Sequence, residues 1–316
     1  MAKKITLIGR AGVGKTSILK LLFEGSNSKD LLTNPLEPTR GITPKIYSWM
    51  DLELSIFDTS GQELPLLLED ENEQNVAFNN ADFVIYILDF PVWIKNSKEI
   101  IKEINKIFNI LKVRENNLVI LFHKIDLINQ KISDNFQLMK SEIKSRLNLP
   151  RTVRIYFTSL YPELDFTIFN SFFEILSSLS LFSNDLKSII DQYIRDQSKL
   201  ICFITNKENY IIVQSMTNDF NTDLIYKLYI LISYYIKPLE INYDFSQNIH
   251  SIDSGNTRLR LIVGSLENAN LVLKRLIIFS ENKHKDNLFE LKKKIKLQIE
   301  NYCKNRMNNM PNINFK

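Results

Sequence analysis

The sequence predicts an α/β domain with a mostly parallel sheet and helices on both faces over 1–182, followed by an α+β domain over 183–316. Three observations carry this reading. Apolar strand-like runs alternate with helix-periodic segments through residues 1–180, the signature of a parallel sheet with crossover helices. The runs FVIYILD (83–89) and LVILF (118–122) are almost wholly apolar, as central strands covered on both faces require. The 316-residue length also exceeds the roughly 250–300 residues at which a single core stops growing.

Strands are expected at 3–9, 43–49, 52–58, 82–89, 117–123 and 153–158, the second and third forming a hairpin that turns near Met50-Asp51. Between the later strands, Ile100, Ile101, Ile104, Ile107, Phe108 and Leu111 recur at helical spacing, as do Phe169, Phe172, Phe173, Leu176 and Leu179. The second half reads helix 184–195, strand 199–205, strand 209–215, helix 220–237, strands near 248–253 and 258–264, and helix 286–303. ICFITNKENYIIVQS is a hairpin by inspection, turning through 206–209. Tyr226, Leu228, Tyr229, Leu231, Ile232, Tyr234, Tyr235 and Ile236 make the 220–237 helix apolar nearly all round, which suits either a core helix that also faces a partner or simply a well-buried one. The last helix carries Leu288, Leu291, Ile295, Ile299 and Tyr302 on one stripe beside Lys292, Lys293, Lys294 and Lys296, and reads as a docked helix with a solvated basic face.

Composition narrows the classes. A net charge of +4, evenly spread, gives no argument for nucleic acid. Cys202 and Cys303 form neither a disulfide framework nor a metal spacing, and read as reduced thiols of a cytoplasmic protein. The start, MAKKI, has no apolar core of a signal peptide and no glycine for myristoylation, and no run is long enough to span a bilayer. Membrane contact is therefore expected only through a partner.

Chemistry concentrates at strand ends. Gly9-Arg10-Ala11-Gly12-Val13-Gly14-Lys15-Thr16, followed by Ser17, fits G-x-x-x-x-G-K-[ST] between a strand and a helix. Small residues let backbone N–H groups turn inward on phosphates, Lys15 adds a positive charge, and the Thr16 hydroxyl can ligate Mg²⁺. FDTSGQE (57–63) closes the third strand. There Asp58 can act on the metal side, the Gly61 N–H can meet a γ-phosphate, and the Gln62 amide can orient an attacking water. In FHKIDL (122–127), Asp126 can accept from guanine N1–H and its 2-amino group, which selects guanine over adenine, while the Lys124 stem lies over the base. FTSL (157–160) ends the last strand, and the backbone N–H groups of Ser159 and Leu160 are expected at guanine O6.

These segments, in this order, resemble the small GTPases of the Ras superfamily. His123 stands where most of them have asparagine, and Thr-Ser-Leu replaces Ser-Ala-Lys; both features, with a long stretch before NADFVIYILD, resemble Rag/Gtr GTPases. The resemblance implies a P-loop GTPase domain that binds GTP and GDP with Mg²⁺ held by Thr16, Thr39 and Asp58, hydrolyses GTP slowly with Gln62 as the catalytic residue, and is followed by a roadblock/longin-like dimerisation domain. Thr39 is preferred to Thr43 as the switch threonine, because Thr43 leaves too few residues for the strand ending near Met50. It further implies a homo- or heterodimer with another Rag-like GTPase, a roadblock scaffold, and activating and exchange factors. Two alternatives stay open: a nucleotide-locked scaffold subunit, and an Arf-like GTPase with an unrelated second domain. Asp126 argues against an adenine-nucleotide ATPase.

Overall fold

A computed structural model describes residues 2–34, 36–114, 117–128, 136–150, 152–236, 250–254, 257–266, 269, 272–281 and 288–309. The chain divides into two compact units, Met1–Ser171 and Phe172–Lys316.

The first unit holds a six-stranded sheet, β1 (Lys3–Ile8), β2 (Ile42–Trp49), β3 (Leu52–Thr59), β4 (Phe83–Asp89), β5 (Asn117–His123) and β6 (Arg154–Thr158), in the order β2-β3-β1-β4-β5-β6. All pairs are parallel except β2–β3, which is the expected hairpin. Helices α1 (Lys15–Phe23), α2 (Ser28–Thr33), α3 (Leu64–Leu67), α4 (Glu71–Phe78), α5 (Phe90–Val113) and α6 (Phe136–Leu147) fill the connections. The central strands are buried throughout: every residue of Phe83–Leu88 and of Leu118–His123 is inaccessible or nearly so. Their carboxyl ends therefore share one edge, with β1 at the point where the connections diverge, the place at which open parallel sheets bind ligands.

Helix α7 (Phe166–Ser177) contains the division between the units, which the sequence reading placed at 182/183. The second half of this helix packs with the later chain: the Phe173 and Tyr210 rings meet edge to face at 5.9 Å, and the Ser177 hydroxyl donates to the Ile212 carbonyl.

The second unit is a five-stranded antiparallel sheet in the order β8-β7-β11-β10-β9, formed by β7 (Leu200–Asn206), β8 (Ile211–Met216), β9 (His250–Ser254), β10 (Thr257–Ser265) and β11 (Leu273–Ser280). Alternation along the strands separates its two faces. Ile201, Phe203, Leu259, Leu261, Val263, Ile277 and Phe279 pack with Phe220, Leu224, Leu228 and Ile232 of the segment that contains α9 (Ile225–Leu231). Helices α8 (Leu181–Ile194) and α10 (Leu288–Asn309) pack together and against the sheet, where the α10 side chain of Lys292 lies over Gly264.

Two expectations need correction here. The central strand β11 is absent from the sequence reading, although it lies between β7 and β10. Its apolar core, Leu276–Phe279, is short, follows Lys274-Arg275, and sits beyond an irregularity in the β7 pairing, so no clean period marks it. The helix expected over 220–237 is instead a 3₁₀ turn (Thr222–Leu224), α9, and a π-helical turn (Ile232–Ile236), with residue 237 outside the described residues. Parts of the expected strand 248–253 and helix 286–303 also lie outside them.

Candidate nucleotide site

The loop after β1 turns directly into α1. Gly14 caps that helix in the left-handed region (φ 96°), and its carbonyl accepts from the Ile18 N–H at 2.9 Å. A side chain at Gly14 would meet the His123 ring at 3.2 Å, so glycine is required both by conformation and by space. Lys15 is buried, and its Nζ donates to the Gly9 and Arg10 carbonyls at 2.7 and 3.2 Å. Burial lowers its pKa to about 8, against a smaller opposing effect of Asp58. An anion at the head of α1 would relieve that penalty, so the cradle fits phosphate.

Three oxygen-bearing side chains from separate segments meet beside this helix. The Thr16 hydroxyl donates to Asp58 Oδ2 at 2.6 Å, and Thr39 Oγ1 lies 2.9 Å from Thr16 Oγ1 and 3.3 Å from Asp58 Oδ2. Asp58 is buried, and its Oδ1 has no partner. Thr43 instead pairs with Asp58 across the β2–β3 ladder as a strand residue. An oxygen-only set with an unsatisfied buried carboxylate oxygen fits a hard divalent cation. Among the described residues no group of three His, Cys, Asp or Glu side chains gathers anywhere, so such an ion would need ligand oxygens to complete its shell.

The chain after β3 presses on the phosphate loop. A Cβ built on Gly61 would lie 2.4 Å from the Ala11 N and 2.6 Å from its Cα, a backbone approach only glycine permits. Gln62 lines a cleft of about 610 Å³ with Arg10, Leu64, Leu68, Glu99 and Glu103.

On the base side, Lys124 adopts the left-handed region (φ 63°) and its Nζ donates to the Gly12 carbonyl at 2.7 Å, with Asp89 3.0 Å away. Asp126, in the short 3₁₀ turn Ile125–Leu127, accepts from the Ser159 hydroxyl. Phosphate loop, cation-type ligands and carboxylate thus lie along one edge of the sheet.

Residues 4–236 match the family model described as the Gtr1/RagA G protein conserved region. The chain belongs to the Gtr1/RagA G protein family. The match runs beyond Ser171 into the second unit. Among curated relatives, the chain is 22% identical over 227 residues to GTP-binding protein gtr1 of Schizosaccharomyces pombe, covering 70% of each chain. It is 26% identical over 185 residues to Ras-related GTP-binding protein A of Dictyostelium discoideum, covering 57% of this chain and 58% of that one. GTP-binding protein GTR1 of Saccharomyces cerevisiae is 22% identical over 227 residues, covering 69% and 70%.

The structure gives several of these residues contacts that the sequence does not show. His123, at the position where most small GTPases have asparagine, is wholly buried behind the phosphate loop, with Nδ1 2.9 Å from the Thr158 hydroxyl and Nε2, beside Gly14, without a hydrogen-bond partner among the described residues. Burial, with Lys124 adding to it, lowers its pKa to about 3, so the ring is neutral. The Ser159 N–H is taken by the Thr167 hydroxyl at 3.1 Å and is not free for guanine O6. Arg10, within the phosphate-loop motif, turns onto α5: its Nε and Nη2 donate to Glu103 at 3.0 and 2.7 Å, and Nη2 to Glu99 at 2.9 Å. Glu103 also accepts from the buried Tyr86 hydroxyl and holds the guanidinium protonated. Asp89, at the end of an apolar strand, was missed; a carboxylate closing FVIYILD was the available signal.

Proposed function

We propose that this GTPase is a slow molecular switch that binds GTP and GDP with Mg²⁺. The observation that carries the reading is the meeting of Thr39, from the segment before β2, with Thr16 and Asp58. Mg²⁺, held by Thr16 and Thr39 with Asp58 beside it, would neutralise charge on the β- and γ-phosphates. Lys15 and the backbone of 9–16 bind the phosphates, Asp126 accepts from the guanine edge, and Lys124 braces the phosphate loop through Gly12. Gln62 orients the attacking water, and Gly61 and Thr39 register whether a γ-phosphate is present. Turnover is expected to be slow, on the order of 10⁻⁴–10⁻³ s⁻¹. No arginine occurs between Arg10 and Arg40, and Arg10 is committed to Glu99 and Glu103.

The second unit is read as a roadblock/longin-like domain that pairs with another Rag-like GTPase, homo- or heteromeric, and engages a roadblock scaffold. Its helix, two strands, helix, three strands, helix order and antiparallel sheet with helices on both faces support this. Activating and exchange factors would set the nucleotide state. No single helix among the described residues is long and apolar enough to cross a membrane, although the bent pair Phe166–Ser177 and Leu181–Ile194 passes the same length and composition test. We further propose a cytoplasmic protein recruited to membranes by a partner.

The deciding experiment is one round of hydrolysis of GTP·Mg²⁺ by purified protein beside Gln62→Leu. Slow hydrolysis that disappears in the variant supports the switch. Tight GTP binding with no hydrolysis in either protein overturns it in favour of a nucleotide-locked scaffold.

A further inference from the structure

The turn after β6 is fastened on several sides. Ser159 donates its hydroxyl to Asp126 and its N–H to Thr167, and its hydroxyl oxygen accepts from the Tyr161 N–H at 2.8 Å. The Tyr161 carbonyl accepts from the Leu164 N–H at 2.7 Å. Further on, Asp165 accepts from the Ser28 hydroxyl at 2.9 Å. The two residues at the head of this turn go opposite ways. Leu160 is 8% exposed, and its methyl lies within 3.9 Å of the position a Gly14 Cβ would take. Tyr161 is 47% exposed, and among the described residues its ring and hydroxyl make no hydrogen bond or ring contact. A large aromatic side chain thus stands unburied on a backbone pinned to both sides. It lies one hydrogen-bonded residue away from the carboxylate that reads the base edge.

We propose that the Tyr161 ring stacks on one face of the guanine base, opposite the stem of Lys124. The inference rests on the switch reading and adds a binding residue to the same site. Asp126 recognises an edge and discriminates guanine from adenine, but an edge contact leaves both faces of a planar base open to water. The Lys124 stem, drawn across to Gly12, walls one face. Tyr161 closes the other with its π-surface, a contact indifferent to the identity of the purine. Affinity and selectivity are then divided: Tyr161 supplies affinity, and Asp126 supplies choice.

The test is titration of the full-length protein with a fluorescent GDP and competition by unlabelled GDP and GTP, using Tyr161→Ala, Tyr161→Phe and Tyr161→Trp. Base–aromatic stacking is worth about 1–3 kcal/mol, so the alanine variant is expected to lose roughly 5- to 150-fold for GDP and GTP alike. Phenylalanine and tryptophan are expected to retain binding, and the new tryptophan to be quenched by GDP relative to the signal of Trp49 and Trp93. A thermal unfolding midpoint for the nucleotide-free alanine variant equal to that of the unaltered chain separates a lost ligand contact from a damaged fold. An alanine variant that loses less than fivefold, or a phenylalanine variant as weak as alanine, overturns the proposal alone. Absence of GDP binding by the unaltered chain overturns the switch reading and this inference with it.

Discussion

Gly61→Ala isolates the link between the phosphate loop and the segment that carries Gln62. The added methyl would sit 2.4, 2.5 and 2.6 Å from the Ala11 N, the Arg10 C and the Ala11 Cα, against ordinary contact beginning at 3.4 Å. All three are backbone atoms, so no flexible side chain can yield; the segment must withdraw by about 1 Å. A misplacement of that size costs on the order of a hundredfold when it falls on a group that positions a reactant. The lost approach falls on Gly61 and Gln62, whereas the GDP cradle is built from residues 9–16, Lys124 and Asp126. The expected outcome is single-turnover GTP hydrolysis slowed by about two orders of magnitude, with GDP affinity unchanged within about threefold. Hydrolysis by labelled GTP and a GDP titration on the same preparation measure both. Hydrolysis at the unaltered rate refutes the claim that close approach of Gly61 sets the position of Gln62. A parallel loss of GDP affinity would show instead that Gly61 supports the cradle itself.

His123 is neutral in the folded protein, with a pKa near 3, and titrates near 6.5 once unfolded, so the unfolded state binds more protons below about pH 7. Its contribution is full above pH 7 and declines as pH falls: chemical denaturation at pH 5 is expected to show about 2 kcal/mol less stability from this group than at pH 7.5, a loss that His123→Asn removes. Asp126→Asn replaces an acceptor pair by one donor and one acceptor; GDP affinity is expected to fall at least about tenfold while xanthosine diphosphate gains, measured by competition.

The first unit was legible because its signals are local. Each of the six strands begins and ends within one residue of its expected bounds, since the near-continuous apolar runs of β4 and β5 and the tight hairpin turn between β2 and β3 leave little freedom of assignment. Thr39 was reachable by counting, because a hairpin strand ending at Trp49 consumes the residues after Gly41. What stayed hidden depends on what lies behind a residue. His123 sits in a motif, but only the absent Cβ of Gly14 makes room for its ring behind the loop. Ser159 belongs to a base-reading motif, yet Thr167, eight residues later, takes its N–H. Arg10 reads as a phosphate-side arginine until α5 brings Glu99 and Glu103 beneath it. In the second unit β11 escaped because a central strand is defined by its two neighbours, and both precede it in the chain, β10 immediately and β7 far upstream.

On the proposed switch, the same contacts make binding and switching separable. The phosphate loop is braced: Lys15 and Lys124 hold three of its carbonyls, Gly61 abuts its backbone, and His123 fills the space behind Gly14. Asp126 is likewise held by the Ser159 hydroxyl. Thr39 has no such support; its hydroxyl is held through Thr16 and Asp58, the oxygens that a cation and phosphates would claim. On the proposed switch, a ligand lacking a γ-phosphate is expected to occupy this braced cradle while leaving the Thr39 segment without a place to dock. On the same proposal, the free-energy difference between the two nucleotide states falls on Thr39 and Gly61, and a partner that distinguishes them is expected to read those two segments.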